Sequence, residues 1–374
     1  MSVPVSFERP AFYFSEQTLW FSTQQSALVL PVGGWVQPMV AGGHADSPEP
    51  KRRTKSLAEV SGVMAEYDPL AAPAAGADVL LAIHPQDYLD RFKATSDAGG
   101  GALHPTAPFA AGSYEIALLS AGQVIGAVLE VAEGRRRRAY AVSRPSGHHC
   151  MPDMPMGFCL IANVAVAVRA AQAAGRKRIA VLDWDVHHGN GTEACFYDDP
   201  TVLTVSMHQA GCFPPGDAGT MEAKGSGDGE GFNLNVPLWP GSGHAVYMAA
   251  LHHIVLPTIR DFQPDMIVVV NGLDANAVDP LARMLLSSES FKTMTESVVG
   301  LADELCGGRI AIIHEGGYSD AYVPFCAHAV LAALAGRPNP VTDPFLPIVE
   351  AQQPGADFDK AQFDALRTHP LWRD

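Results

Sequence analysis

Two acids and two histidines crowd the stretch 181–192, which reads VLDWDVHHGNGT. Because side chains alternate along an extended strand, Asp183, Asp185 and His187 should lie on one face if the extended conformation persists to the end of the strand. Burying such a set is costly unless its members are paired or bind a metal. Carboxylate oxygens and an imidazole nitrogen are ordinary zinc ligands, and a catalytic zinc site typically takes three protein ligands. Asp185 and His187 could supply two of them, whereas a hydrogen-bonded structural cluster is the alternative for this stretch alone.

The third ligand and the acid–base groups have candidates elsewhere in the chain. Asp274, in NGLDAN directly after the apolar run VVV, is the best candidate for the third metal ligand. The adjacent pair His148 and His149, in RPSGHH, suits acid–base work better than joint chelation by one strand. Tyr318 follows two glycines in EGGY, and its phenolic O–H could donate to a developing oxyanion. These residues predict a metal, a base and an oxyanion donor.

Apolar, β-rich segments must position these groups. Continuous apolar strands that alternate with helices indicate a parallel sheet covered on both faces. In such sheets functional groups collect beyond the carboxyl ends of the strands. The clusters RPSGHH, DWDVHHGN, NGLDAN and EGGY each follow an apolar run, as that rule requires. We predict strands at 139–144, 178–184, 201–207, 265–272 and 309–317, and helices at 163–175 and 244–259.

Composition narrows the class of protein. The 374 residues are 47% hydrophobic, and we expect one domain spanning 1–374. The formal net charge of -15 argues against a nucleic-acid partner and favours cationic or neutral small partners. We expect that no apolar run approaches the roughly 18 residues of a membrane span, and the N-terminus lacks a signal peptide's basic start and apolar stretch. We therefore expect a cytoplasmic protein without a membrane partner. Six scattered cysteines without CxxC spacing indicate neither disulfides nor a cysteine zinc site.

These motifs resemble those of the zinc-dependent histone deacetylases and their bacterial relatives, the histone-deacetylase-like amidohydrolases and acetylpolyamine amidohydrolases. The likeness covers most of the chain. Asn190 and the run LDANAVDPLARM resemble the class II branch, especially the bacterial amidohydrolases. The resemblance implies the open α/β arginase/deacetylase fold, with a central eight-stranded parallel sheet flanked by helices and an active site at the C-terminal strand ends. It rests on HPQDYLDRF (84–92), SRPSGHH (143–149), MGFCLIANVAVA (156–167), VLDWDVHHGNGT (181–192), TVSMHQAGCFPPG (204–216), FNLNVPL (232–238), LDANAVDPLARM (273–284) and HEGGYSDAYVPFC (314–326).

The resemblance also implies roles for individual residues. Asp183 would orient His148, and Asn190 would face His149. The implied zinc ligands are Asp185, His187 and Asp274, and the implied catalytic residues are His148, His149, Tyr318, Asp183 and Asn190. A structural potassium ion is implied at the carboxylate of Asp183, the carbonyls of Asp185 and His187, Ser206, and the carbonyl of Met207. A second monovalent ion is implied at the carbonyls around Phe196, Asp199, Val202 and Phe232. The implied substrate tunnel has Phe158 and Phe213 as aromatic walls, with Gly157, Leu281, Gly316 and Gly317 also in contact with substrate.

The implied reaction is hydrolysis of acetyl or related acyl groups from acylated lysine side chains or analogous amines, by water that zinc activates. An acetylpolyamine deacetylase and a non-catalytic acyl-lysine-binding module remain as alternatives. Hydroxamates are expected to inhibit. A homodimer or homotetramer is expected, because segment 30–53 resembles the extended N-terminal loop region of the bacterial amidohydrolases. The loop 99–109, GGGALHPTAPF, has no aspartate where relatives often hold the substrate backbone, and His104 is the nearest polar substitute.

Overall fold

A computed structural model describes residues 8–24, 26–27, 29–31 and 44–374 of the chain. Its strands are β1 (Ala11–Tyr13), β2 (Ser26–Ala27), β3 (Leu30–Pro31), β4 (Asp68–Leu70), β5 (Gly100–Ala102), β6 (Pro108–Ala110), β7 (Arg138–Val142), β8 (Ile179–Asp183), β9 (Val202–Gln209), β10 (Asn233–Leu238), β11 (Met266–Asn271) and β12 (Ile310–His314). Its α-helices are α1 (Glu49–Val60), α2 (Ala77–Leu80), α3 (Gln86–Asp97), α4 (Ser113–Ala132), α5 (Asn163–Ala173), α6 (Asn190–Phe196), α7 (His244–Ala250), α8 (Leu256–Phe262), α9 (Ser288–Cys306), α10 (Val323–Leu334), α11 (Leu346–Ala351) and α12 (Ala356–Leu366). Short 3-10 helices lie at Glu16–Trp20, Val63–Glu66 and Gly227–Gly229.

Eight of these strands form one sheet in the order β10-β9-β8-β11-β12-β7-β1-β4. Every neighbouring pair in this sheet is parallel. The five strands predicted from apolar runs are β7, β8, β9, β11 and β12, and their bounds agree with the prediction to within three residues. The structure thus confirms the eight-stranded parallel sheet. The carboxyl ends of β7, β8, β11 and β12, which precede the polar clusters, are adjacent at its centre.

Both faces of the sheet are buried, as its continuous apolar strands require. In β11, Met266, Val268 and Val270 pack into a core shared with α4 and α5. The alternate residues Ile267 and Val269 pack into the opposite core, which contains apolar side chains of α7 to α10. This period of two places every second side chain on each face and leaves the strand ends free to carry polar groups.

Helix α4 is long and apolar enough to cross a membrane, by length and composition only. A buried core helix passes the same test, and 67% of the most apolar window of α4 is buried inside the fold. α4 packs against α5 and against β7 and β1 of the sheet. The expectation that no apolar run approaches a membrane span is therefore wrong for 113–132, because a helix packed on several sides is apolar around most of its surface.

Two predicted segments differ from the structure. Of the predicted extended loop region 30–53, residues 30–31 form β3, 49–53 begin α1, and 32–43 lie outside the described residues. The predicted helix 244–259 extends to residue 262 and contains a π-helical turn, Leu251–Val255. Pro257 has no N–H to donate to the carbonyl oxygen of His253, which accepts the backbone N–H of Arg373 instead at 2.8 Å.

Candidate active site

A buried Asp–His–Asp cluster lies where β8 and β11 end side by side. The chain leaves β8 at Asp183, so Asp185 and His187 lie just beyond the strand, and Asp274 lies just beyond β11. One ligand atom from each of Asp185, His187 and Asp274 lies within 4.8 Å of the others. His187 Nδ1 is 3.1 Å from Asp185 Oδ1 and 3.1 Å from Asp274 Oδ2. The structure therefore brings the three predicted zinc ligands together.

Space between the two carboxylates depends on a glycine. A β-carbon at Gly316 would collide with Asp185 Oδ2 and with Asp274 Oδ2. The backbone N–H of Gly316 also donates to Asp185 Oδ2 at 3.1 Å, which fixes that carboxylate. The neighbouring Gly317 has φ of 122° and packs against Val323 and Leu273. Glycine at 316 thus leaves room for a metal ion between the two acids.

The adjacent histidines His148 and His149 are each held by a different partner. His148 Nδ1 lies 2.9 Å from Asp183 Oδ2, and His149 Nδ1 lies 2.7 Å from Asn190 Oδ1. The two imidazole rings are stacked obliquely, with centroids 3.9 Å apart. The predicted pairings of Asp183 with His148 and of Asn190 with His149 are therefore present. In both cases Nδ1 is engaged, which leaves each Nε2 facing the site.

The loop that carries the histidine pair is fixed by an acid that the sequence reading did not single out. Glu315 Oε2 accepts the backbone N–H of Gly147 at 2.7 Å and of His148 at 2.9 Å. Lys51, from α1, donates its Nζ to the carbonyl oxygen of Ser143 at 2.6 Å. Lys51 and Glu315 are both buried. Glu315 is the first residue of the EGGY motif, whereas Lys51 lies in a charged run that carries no signal of burial.

The pKa values of the two histidines shift in opposite directions. Burial opposes a charge on His148, but the carboxylates of Asp185 and Asp183 outweigh burial and raise the pKa of His148 to about 10. Burial, together with the nearby His148 and His187, holds the pKa of His149 well below its usual value. At neutral pH His148 is therefore the charged member of the pair, and His149 is the neutral one that can accept a proton.

A cavity of about 320 Å³ leads to these groups from the surface. Phe158 and Phe213 line it, and at its inner end lie His149, His187 and Tyr318. The ring of Phe213 packs edge-on against His149 with centroids 4.8 Å apart, and that of Phe158 packs edge-on against Tyr318 at 5.8 Å. The remaining lining residues are Val29, Leu30, Pro105, Thr106, Gly157, Cys212 and Leu281.

Most predicted tunnel residues line this cavity, but two do not. Gly157, Phe158, Phe213 and Leu281 are lining residues, whereas Gly316 and Gly317 lie outside the lining. Both glycines are packed behind the cavity, next to the carboxylates and to Leu273 and Val323. The predicted contact of Gly316 and Gly317 with substrate therefore stays a prediction, since the two glycines pack against Asp185, Asp274 and Leu273 and do not line the described cavity.

Thr106 supports the tunnel wall, a role that sequence reasoning missed. Its Oγ1 accepts the N–H of Gly157 at 2.9 Å, and its carbonyl oxygen accepts the N–H of Phe158 at 3.0 Å. Phe158 has φ of 64°, which a bulky side chain adopts only where the surroundings hold it. His104 Nδ1 lies 2.9 Å from Thr106 Oγ1. In the structure, loop 99–109 therefore braces the tunnel wall.

The residues of the implied monovalent-ion sites also lie close together. Asp183 and Ser206 are direct cross-strand partners in β8 and β9, and Met207 follows Ser206. In the second set, the N–H of Asp199 donates to the carbonyl of Phe196 at 3.0 Å, and the N–H of Val202 donates to that of Asp199 at 3.4 Å. The carbonyl of Phe232 accepts the N–H of Thr204 in β9 at 3.0 Å.

Fold and site together define a class of protein. Residues 44–334 match the family model of the histone deacetylase domain. The chain therefore belongs to the histone deacetylase family, whose members are in general zinc-dependent hydrolases. This confirms the family that the motifs indicated.

Three comparisons show how far the similarity extends. The chain is 55% identical over 362 residues to the histone deacetylase-like amidohydrolase of Pseudomonas aeruginosa, covering 96% of this chain and 95% of that protein. It is 36% identical over 258 residues to a probable deacetylase of Archaeoglobus fulgidus, covering 69% and 71%. A crystal structure of the HDA15 HD domain matches with a TM-score of 0.79 and 29% identity, covering 96% of this chain and 99% of that chain.

Proposed function

We propose that this chain is a zinc-dependent amidohydrolase that removes acetyl or related acyl groups from acylated lysine side chains or analogous amines. The observation that carries the proposal is the meeting of His149, Tyr318 and a buried Asp–His–Asp cluster at the inner end of one narrow cavity. A metal-binding group, a neutral imidazole and a phenol in that position suit attack of water on an amide. Membership of the histone deacetylase family supports the same reaction.

We assign Asp185, His187 and Asp274 as the zinc ligands. Two carboxylates and one imidazole are an ordinary donor set for zinc, and three protein ligands leave a position for water. The gap next to Gly316 supports this assignment, because any β-carbon there would fill the space between the acids. When bound, zinc would polarise the amide carbonyl and lower the pKa of water from 15.7 towards roughly 7.

The side chains of the site would control the protons. Because Asn190 Oδ1 accepts the Nδ1–H of His149, Nε2 of His149 is free to take a proton from water and pass it to the leaving amine. His148, paired with Asp183, would contribute positive charge. Tyr318 would donate its O–H to the oxyanion. Burial raises the pKa of Tyr318 well above its usual value, so the phenol stays protonated at neutral pH.

The shape of the cavity supports a long, flexible amine substrate. Between the rings of Phe158 and Phe213 an alkyl chain would gain apolar contact, while a cationic end would remain in water. The formal charge of -15 suits a cationic substrate. An acetylpolyamine would meet the same requirements, so an acetylpolyamine deacetylase is the second candidate. A non-catalytic acyl-lysine-binding module is disfavoured because the histidine pair and Tyr318 are all present.

We also propose structural potassium beside the catalytic strand. The first site would use the Asp183 carboxylate, Ser206, and the carbonyls of Asp185, His187 and Met207. The second would use carbonyls around Phe196, Asp199, Val202 and Phe232. Carbonyl oxygens that already accept one hydrogen bond keep a second lone pair for a cation. Thermal unfolding in potassium chloride compared with tetramethylammonium chloride at equal ionic strength tests this: equal stability in both salts would contradict it.

Assembly and location remain proposals drawn from the sequence. We propose a homodimer or homotetramer in the cytoplasm that binds neither nucleic acid nor membrane. The net charge of -15 supports the lack of a nucleic-acid partner, and the buried setting of α4 supports the lack of a membrane span. Sedimentation equilibrium of the purified chain tests the assembly, and a monomer at all concentrations would refute it.

The function is tested by comparing substrates on one zinc-loaded preparation. We would measure kcat/KM for an acetyl-lysine peptide, an acetylated polyamine and a trifluoroacetyl-lysine peptide, with released acetate or trifluoroacetate quantified directly. Higher kcat/KM for the lysine peptides supports the proposed substrate class, and higher values for the polyamine favour the second candidate. A protein that binds all three but releases no acid would support the binding module.

Inhibition and a matched pair of variants complete the test. A hydroxamate should inhibit competitively, because its two oxygens can chelate zinc in place of water and the carbonyl. His149→Ala should abolish turnover, whereas His252→Ala, at an exposed histidine of the π-helical turn, should leave it unchanged. Absence of inhibition at millimolar hydroxamate would count strongly against an open catalytic zinc.

A further inference from the structure

A second group of side chains that could hold a metal ion includes His148 of the histidine pair. An imidazole nitrogen of His148, Sγ of Cys159 and a carboxylate oxygen of Glu315 all lie within 4.8 Å of one another. The same spacing holds for Asp185, His187 and Asp274. All three side chains are buried, with Cys159 and Glu315 both 0% exposed. Their ligand atoms are therefore close enough to share one cation after small movements.

Each member of this cluster has a ligand atom to offer. Asp183 engages Nδ1 of His148 at 2.9 Å, so Nε2, which lies 3.7 Å from Asp185 Oδ2, is the nitrogen without a hydrogen-bond partner within the described ranges. Glu315 uses Oε2 for the N–H groups of Gly147 and His148, but its Oε1 is buried without a hydrogen-bond partner among the described residues. Cys159 Sγ contacts the carbonyl oxygen of Gly157 at 3.3 Å and the backbone of His149. A buried carboxylate oxygen without a partner is costly and points to a ligand.

The nearest cation does not satisfy Glu315. Lys51 Nζ donates to the carbonyl oxygen of Ser143 at 2.6 Å and contacts Ser146 Oγ at 3.4 Å. No hydrogen bond between Lys51 and Glu315 is present in the described part of the chain. Lys51 therefore offsets part of the negative charge of Glu315 without occupying Oε1, and the lone pairs of Oε1 stay available.

We propose that His148, Cys159 and Glu315 form a second, inhibitory site for a soft divalent cation such as Zn²⁺ or Cd²⁺. A thiolate, an imidazole and a carboxylate together favour these ions over Mg²⁺ and Ca²⁺, which prefer oxygen ligands. Binding releases the thiol proton of Cys159, and any proton on Nε2 of His148, to solvent. A cation on Nε2 of His148 prevents this histidine from acting in hydrolysis. This inhibitory effect rests on the proposed function, whereas binding of the cation does not.

The experiment titrates the zinc-loaded enzyme with CdCl₂. We would measure bound zinc and bound cadmium by mass spectrometry after dialysis, the ultraviolet charge-transfer band of a cadmium–thiolate bond, and hydrolysis in the same samples. The expected result is one added cadmium with no loss of zinc, a thiolate band that rises with it, and a parallel fall in hydrolysis. A preparation that never hydrolyses substrate but still gains cadmium and the band would refute the proposed function and leave this site standing.

Cys159→Ser and Cys150→Ser form a matched pair of buried cysteine variants. Cys159→Ser should lose the band and weaken cadmium binding and inhibition by about 100-fold or more, beyond the 10–100-fold typical of outer-sphere changes. Cys150→Ser should behave as the parent protein does. X-ray absorption at the cadmium edge of the parent enzyme requires no variant and should show one sulfur ligand. Cadmium that binds without a sulfur ligand, or that inhibits Cys159→Ser as strongly as the parent, would overturn the proposal.

Discussion

Replacing Tyr318 by phenylalanine removes one oxygen atom at the inner end of the cavity. The ring of Tyr318 packs edge-on against Phe158 and against His187, with centroids 5.8 Å and 6.4 Å away, and its backbone N–H donates to Asp279 Oδ2 at 2.8 Å. The hydroxyl group makes no hydrogen bond to any of the described residues. Phenylalanine should therefore keep every contact that stabilises the fold, and the melting temperature should stay close to that of the parent.

The cost should appear in the rate instead. If the hydroxyl group donates chiefly to the oxyanion, its loss leaves substrate binding almost intact and lowers kcat. Loss of one such donor typically costs about 10²–10³ in kcat, or roughly 2.7–4 kcal/mol of transition-state stabilisation. We expect the full loss of kcat because Tyr318 is the one tyrosine among the described residues that line the cavity, so no other phenol can replace its hydroxyl group.

The assay must separate turnover from binding. We would measure kcat and KM on an acetyl-lysine peptide, zinc content, and the affinity for a hydroxamate. Tyr114→Phe is the matched control, because Tyr114 is a half-buried tyrosine on α4 that packs against Phe92, away from the cavity. Hydrolysis by Tyr318→Phe at the parent's rate would refute the role of the hydroxyl group. A large loss of zinc or of stability would show instead that the phenol supports the fold.

Three further predictions concern the metal, the tunnel wall and a buried histidine. Asp274→Ala should lose stoichiometric zinc and more activity than the roughly 10–100-fold cost of an outer-sphere change; full activity with one bound zinc would remove Asp274 from the site. Thr106→Val leaves the N–H of Gly157 without its acceptor, which costs about 1 kcal/mol and should raise KM about fivefold or more. Thr106→Ser keeps the hydroxyl group and should restore the KM of the parent. An unchanged KM in Thr106→Val would contradict the bracing role. Burial lowers the pKa of His84 from 6.5 to about 4. Because the unfolded chain then binds a proton more readily than the folded chain, the free energy of unfolding should be highest above pH 6.5 and should fall as the pH drops towards 4. At pH 5 the loss should be about 2 kcal/mol, and His84→Gln, which cannot titrate, should show a weaker pH dependence of the unfolding free energy; an equal dependence in both proteins would refute this.

The strands and their polar ends could be predicted because the signals are local. Strands such as β11, MIVVVN, are continuous apolar runs, since both faces of a parallel sheet are buried. Each run that ends in acids, histidines or glycines marks a carboxyl end, where functional groups collect. Asp185 and His187 follow the end of β8, and Asp274 follows the end of β11, its neighbour in the sheet. The Asp–His–Asp set could therefore be predicted from the residues at two strand ends.

Other features depended on contacts between distant segments. Lys51 lies in the charged run EPKRRTK, which by itself is typical of an exposed helix, yet the side chain is buried against Ser143. Thr106 braces residues 157 and 158, some fifty positions later in the chain, and no periodicity marks that pair. Gly316 and Gly317 belong to the EGGY motif, but Gly316 packs against Asp185 and Asp274, and Gly317 packs against Leu273.

The sequence alone thus determined five strands of the sheet, the polar residues that follow four of them, and the family to which those motifs belong. Tertiary structure decided the neighbours: which loop braces Phe158, which acid holds the histidine loop, and which carboxylate oxygen of Glu315 is left without a partner. The physical reason is that secondary structure follows from side chains close in sequence, whereas hydrogen-bond partners and burial are set by packing between segments far apart in the chain.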